Sequence, residues 1–137
     1  MNMEKSSGNI LAGMIITLLL VTSCDQTGPA GDFSSIEGIY TCQESSSHAG
    51  VRKYLVEIDQ VKDAENLYII SNFHNKGENE FLFAELRQDT LFISYQPISD
   101  ISVNGKGPVD PDFRSIRLSY VTDDGITILD YHASYTR

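Results

Sequence analysis

From Glu37 onward, apolar and polar residues alternate with a period of two, and no run keeps a helical repeat. The run Arg52 to Asp59 shows the rule: Tyr54, Val56 and Ile58 fall on one side, Lys53, Glu57 and Asp59 on the other. The same pattern predicts strands over 38–44, 52–59, 66–73, 80–86, 90–96, 100–104, 115–121 and 126–136. Turn residues separate them. Asp124-Gly125 suits a tight hairpin because glycine tolerates a positive φ, and Asn75-Lys76-Gly77 and Asn104-Gly105 carry similar signals. Lys62 to Glu65 is a polar break, and 106–113 is the longest irregular stretch, with room for one helical turn. Strands at intervals of about 12 residues predict an all-β barrel or sandwich. Short sequential links favour an antiparallel up-and-down meander, whose closure into an eight-stranded barrel removes exposed edges.

Alternation also sorts the faces. Ile116, Leu118 and Tyr120 oppose Arg117 and Ser119; Leu129, Tyr131, Ala133 and Tyr135 oppose Asp130, His132 and Ser134. Leu91, Ile93 and Tyr95 are expected to face inward. The strands at 66–73 and 80–86 are apolar on both sides, which leaves one side to be covered by the tether or by a partner. On this sorting Tyr40, Tyr54, Tyr95, Tyr120 and Tyr131 point into the barrel. A barrel of this size holds side chains alone or one small ligand, so two readings stand. Either the tyrosines orient a small apolar ligand, or they fill the core with hydroxyls reaching solvent at the ends.

The N-terminus has a different pattern. Ile10 to Val21 is apolar apart from Gly13 and Thr17, too short for a membrane-spanning helix and the right length for a secretory signal. Val21-Thr22-Ser23-Cys24 follows and resembles the bacterial lipobox. The resemblance implies cleavage before Cys24, diacylglycerol on its sulfur and an acyl chain, such as palmitate, on the new amine. Residues 1–23 then form a lipoprotein signal peptide, 24–36 a lipidated flexible tether rich in Gly, Ser, Thr and Pro, and 37–137 the barrel domain. Two or three acyl chains hold a protein to a bilayer without help from its folded surface. The expected location is the cell envelope of a Gram-negative bacterium, on the periplasmic face or at the outer membrane. Asp25 resembles an inner-membrane retention signal of enteric bacteria, a rule other groups do not follow.

Charge narrows the partners. The chain of 137 residues carries −9, and loss of Glu4 with Lys5 leaves that unchanged. Such a balance excludes a nucleic-acid partner, which needs a basic face. Cys42 has no intramolecular partner once Cys24 carries lipid, and it reads as a small buried hydrophobe. Asp130 and His132 share one strand face without a visible third ligand, so no metal is expected. Gly105-Lys106-Gly107-Pro108 lacks the spacing of a phosphate loop and reads as a turn. No nucleophile elbow or zinc-protease helix occurs, and neither catalysis nor a cofactor is expected.

Three stretches resemble the lipocalin-like (calycin) class of small bacterial lipoproteins. They are Gly38-Ile39-Tyr40, the segment 68–78, and 105–137 with its final aromatic and arginine. Tyr40 stands where that class usually has tryptophan. The resemblance implies a lipocalin- or avidin-like barrel and supplies fold more than activity. The expectation is a non-enzymatic, membrane-anchored lipoprotein. Its barrel would bind a small apolar ligand or, alternatively, act as an interaction module with an envelope protein.

Overall fold

The structure, a computed structural model, describes residues 33–137. The expected signal peptide, Cys24 and most of the tether lie outside the described residues. Eight strands follow one another: β1 (Gly38–Ser46), β2 (Gly50–Gln60), β3 (Leu67–Ser71), β4 (Phe81–Arg87), β5 (Thr90–Ile98), β6 (Ile101–Pro108), β7 (Ser115–Asp123) and β8 (Ile128–Thr136). Each pairs antiparallel with the next, and β8 returns to β1 through Thr41 to Ser45 against His132 to Thr136, closing the barrel. The expected all-β, up-and-down architecture is present, in the order that short hairpin links dictate.

Alternation decides what fills it. Val56, Ile58, Ile70, Leu82, Leu91, Ile93, Ile116 and Leu118 are buried inside, each contributing about 1.5–3 kcal/mol of apolar transfer. Gly107 lets β6 approach β7 closely, since a β-carbon there would lie 1.7 Å from the Arg117 carbonyl oxygen. The β7–β8 hairpin turns at Asp124-Gly125 as expected, with Gly125 at φ +84°. The Asp124 carboxylate accepts from the Ile126 and Thr127 amides at 2.8 and 2.7 Å.

Four expectations are corrected. Tyr95 points outward and is 68% exposed. One extra residue on β5 between Ile93 and Gln96 makes a bulge, and a bulge reverses the alternation beyond it. Asn104-Gly105 and the following Lys106-Gly107-Pro108 are not turns but lie within β6: Gly105 and Lys106 pair with both neighbours, Asn104 with β7, and Gly107 and Pro108 with β5. The strand expected over 66–73 ends at Ser71. The helical turn expected after Lys106 occurs instead at Phe73–Asn75, a single 3-10 turn (η1) in the link from β3 to β4.

The two ends differ. At one, the chain termini meet. The Tyr40 hydroxyl donates to the carbonyls of Ile36 and Phe113 at 2.9 and 3.1 Å. The Arg137 guanidinium lies 3.9 Å from the Phe33 ring centroid and 4.7 Å from that of Tyr40. It donates to the Phe113, Glu37 and Ser35 carbonyls. The other end carries the β1–β2, β3–β4, β5–β6 and β7–β8 links. There η1 turns inward and buries Phe73 and His74 in the mouth.

Candidate functional site

Glu44 organises the mouth. It follows Tyr40 and Cys42 along the inner face of β1, so strand alternation drives its carboxylate inside, where it is 1% exposed. A buried carboxylate is tolerated only with donors around it. Four side chains serve. The Tyr54 hydroxyl, from β2, donates to Oε2 at 2.6 Å. Tyr120 of β7 donates to the same oxygen. Arg52 Nε donates to Oε1 at 3.1 Å, and its Nη2 adds a second bond. His74 Nδ1 lies 3.1 Å from Oε2 and 2.8 Å from the Tyr120 hydroxyl. Burial pushes the Glu44 carboxyl upward, but the hydrogen bonds from His74, Tyr120, Tyr54 and Arg52 outweigh it and bring the pKa to about 2.

The proton arrangement on His74 follows from its neighbours. Glu44, an acceptor only, faces Nδ1, while Arg52 Nη2 lies 3.2 Å from Nδ1 and 3.3 Å from Nε2. The carboxylate therefore assigns a hydrogen to Nδ1, which donates toward it. Aromatic rings surround the imidazole: Tyr131 stands edge-on at 4.7 Å and Tyr120 at 5.8 Å. Those two tyrosines stack on each other at 5.4 Å, and Phe73 packs 4.8 Å from Tyr120.

Of the tyrosines expected inside, the structure brings Tyr54, Tyr120 and Tyr131 together at the mouth. Tyr40 belongs to the opposite end, and Tyr95 lies on the outer face. Cys24 lies outside the described residues. Cys42 is buried. Burial, reinforced by the Glu44 charge and offset in part by the nearby Tyr54 hydroxyl and Arg52, pushes its thiol up to about 12, so it is a poor nucleophile. Tyr135 is fully buried, and its hydroxyl has no hydrogen-bond partner among the described residues.

Three members of this cluster escaped the sequence reading. Glu44 and Arg52 carry the same period-two signal as their neighbours Cys42 and Tyr54 and were legible by extending the alternation. His74 had no such signal, because it enters on a left-handed turn with φ +56°. Asp130 and His132, by contrast, lie on the exposed outer face of β8, where His132 Nδ1 is 3.0 Å from the Ser119 hydroxyl. They border a hollow of about 570 Å³ over β6, β7 and β8. Among the described residues no group of three His, Cys, Asp or Glu is placed to hold a metal ion.

A second feature is on the outside. β3 pairs with β2 only at Glu57 to Gln60, whereas β2 continues to Gly50 along β1. The β3-facing flank of β2 is therefore open over Val51 to Leu55. The Leu55 carbonyl accepts from Asn72 Nδ2 at 2.7 Å, which shows that odd-numbered residues turn their backbone groups to this flank. The groups of Val51 and Lys53 on it have no partner among the described residues. Val51 and Leu55 are exposed, as are Ile39, Phe81 and Phe83 on the outer faces of β1 and β4. At the fork lies a groove of about 270 Å³ bordered by Ile39, Leu55, Glu57, Ser71, Asn72 and Glu78. Comparison with protein-family models and with curated proteins finds no match to this chain.

Proposed function

We propose that this chain is a non-enzymatic cell-envelope lipoprotein, anchored through Cys24, whose barrel is an interaction module that accepts an extended strand of another protein. The open flank of β2 carries the reading. It offers backbone donors and acceptors beside exposed apolar side chains, the combination that strand addition uses. The interior supports the same choice, because its side chains pack against one another and its carboxylate and most of its hydroxyls are already hydrogen-bonded. Glu44, held by four donors, is not free for acid–base work, and the Cys42 thiol stays protonated.

Lys53 selects the partner. A second copy docking antiparallel, with Val51 against Leu55 of its mate, would set Lys53 against Lys53, and like charges directly opposite destabilise a strand pair. The complementary occupant is a heterologous strand with an acidic residue opposite Lys53 and apolar residues two positions to either side. Each matched cross-strand pair contributes about 0.2–1 kcal/mol.

Two peptides test this on the full chain in detergent micelles: Val-Thr-Asp-Thr-Val and Val-Thr-Lys-Thr-Val. The acidic peptide is expected to slow amide exchange at Val51 and Lys53, and the basic one to leave it unchanged. Equal effects, or none, overturn the docking reading. The anchor is tested separately by Cys24→Ser, which is expected to abolish lipid mass on the N-terminal peptide and release the chain from membranes. Retention with unchanged processing overturns the anchor and leaves the docking result standing.

A further inference from the structure

The open flank of β2 ends at a fixed corner. Ser71 pairs with Glu57, and the next residue, Asn72, turns away on left-handed backbone at φ +57°. Its side chain uses both ends: Nδ2 donates to the Leu55 carbonyl at 2.7 Å, and Oδ1 accepts from the Gly77 amide at 2.8 Å. The groove of about 270 Å³ lies on the outer face where β3 parts from β2. Ile39 and Leu55, each 59% exposed, give it apolar walls. Glu57 and Glu78 border it with carboxylates. We propose that this groove is a specificity pocket for an arginine of the docked strand, placed four residues before the acidic residue that meets Lys53. The pocket presupposes the docking proposed above; it adds a direction and a second charge to the partner's sequence.

Register sets the spacing. β3 runs antiparallel to β2, and a strand that continues its line does the same. On that line Ser71 stands opposite Glu57, and the positions two and four further along stand opposite Leu55 and Lys53. The docked strand begins where Ser71 and Asn72 stop. Its first ladder residue therefore faces Leu55, and its acidic residue follows two positions later, at Lys53. The residue two before the first ladder position has no place on β2, because Ser71 holds it. The partner chain must lift off the sheet there and leave over the groove. The period of two starts that residue on the same face as the acidic one, the face that carries Ile39, Leu55 and Glu57.

Charge and shape choose arginine. Its methylene stem can lie along Ile39 and Leu55 while the planar guanidinium presents donors in two directions. Glu57 comes from β2 and Glu78 from the link between β3 and β4, and both border the groove, so one guest can meet both. The ion pairs of the described residues use other carboxylates, which leaves these two for a partner. An acidic side chain would be repelled there, and an aliphatic one would gain only the walls.

Three peptides with capped, uncharged termini test this on the full chain in detergent micelles at low salt. They are Arg-Gly-Val-Thr-Asp-Thr-Val, the same sequence with citrulline for arginine, and Val-Thr-Asp-Thr-Val-Gly-Arg. Citrulline keeps the shape and loses the charge; the third peptide keeps the charge and moves it to the other end. The first is expected to bind about threefold to tenfold more tightly than either control, the scale of two exposed ion pairs. The advantage should vanish in the double variant Glu57→Gln with Glu78→Gln, whose changed side chains are both exposed. Three results overturn the pocket: citrulline binds as well as arginine, the arginine at the far end gives an equal or larger gain, or the advantage survives in the double variant. Amide exchange at Val51 and Lys53, followed in the same samples, separates this pocket from the docking itself. Protection by all three peptides at equal affinity removes the pocket and leaves the docking; no protection by any of them removes both. Should the double variant fail to fold, the wild-type comparison decides alone.

Discussion

The two ends of this barrel are closed by the same residue type in opposite ways. At the end where the termini meet, Tyr40 donates to two backbone carbonyls, and Arg137 lies over its ring. Among the described residues, no side-chain carboxylate bonds Tyr40 or Arg137. At the mouth, Tyr54 and Tyr120 donate to a buried carboxylate, and a histidine completes the set. The first closure depends on packing and on main-chain acceptors, which do not titrate. The second depends on one ionised group, so it is conditional. A core end built on backbone acceptors is permanent structure, whereas one built on a charge can respond to pH.

The largest expected effect breaks the permanent end. Tyr40→Ala removes a fully buried ring and leaves the Ile36 and Phe113 carbonyls without their donor. It should cost about 3–5 kcal/mol in chemical denaturation, the range for deleting a large buried aromatic. Its loss should not change between neutral and mildly acidic pH, since nothing at that contact titrates there.

The mouth should behave differently. Glu44 has its pKa lowered from 4.5 to about 2, so the folded state holds the ionised form more tightly than the unfolded chain does. Its contribution is fully present above the unfolded value and fades as pH falls through the window down to about 2. The shift corresponds to about 3 kcal/mol. Stability measured across that window should fall for the wild type, and the fall should shrink by about that amount in Glu44→Gln. A wild-type slope retained in Glu44→Gln would show that other carboxylates carry the acid sensitivity and would remove the contrast between the ends.

The smallest effect sharpens the comparison. Tyr135→Phe deletes a buried hydroxyl that has no partner among the described residues, so it should stabilise the protein by about 1 kcal/mol, read as a rise in the denaturation midpoint. Destabilisation would show that an ordered water or ligand normally satisfies that group.

Most of the architecture was legible because burial imposes the period of two on each strand and turn residues interrupt it. All eight strands lie where alternation put them, with ends shifted by a few residues. The errors have local causes. At Tyr95, one inserted residue reversed the facing of everything after it, and Gln96 took over a ladder role by bonding the Phe83 amide and carbonyl at 2.9 and 2.8 Å. At Asn104-Gly105, a turn signal lay inside a strand because the strand needed small residues to approach β7, not a reversal. The mouth was half legible. Tyr54, Tyr120 and Tyr131 follow from alternation, whereas their convergence on one carboxylate does not.

The chain by itself determined which residues alternate, where it turns and how many strands result, because these depend on neighbours in sequence and on the partition of side chains between water and core. Only the tertiary structure decided that residues as far apart as Glu44, His74 and Tyr120 share a proton network. It also decided that β3 parts from β2 early enough to leave an open flank. Both are outcomes of closure: strand stagger around a barrel sets which side chains meet across it and which backbone groups go unpaired, and no stretch of sequence encodes that stagger alone.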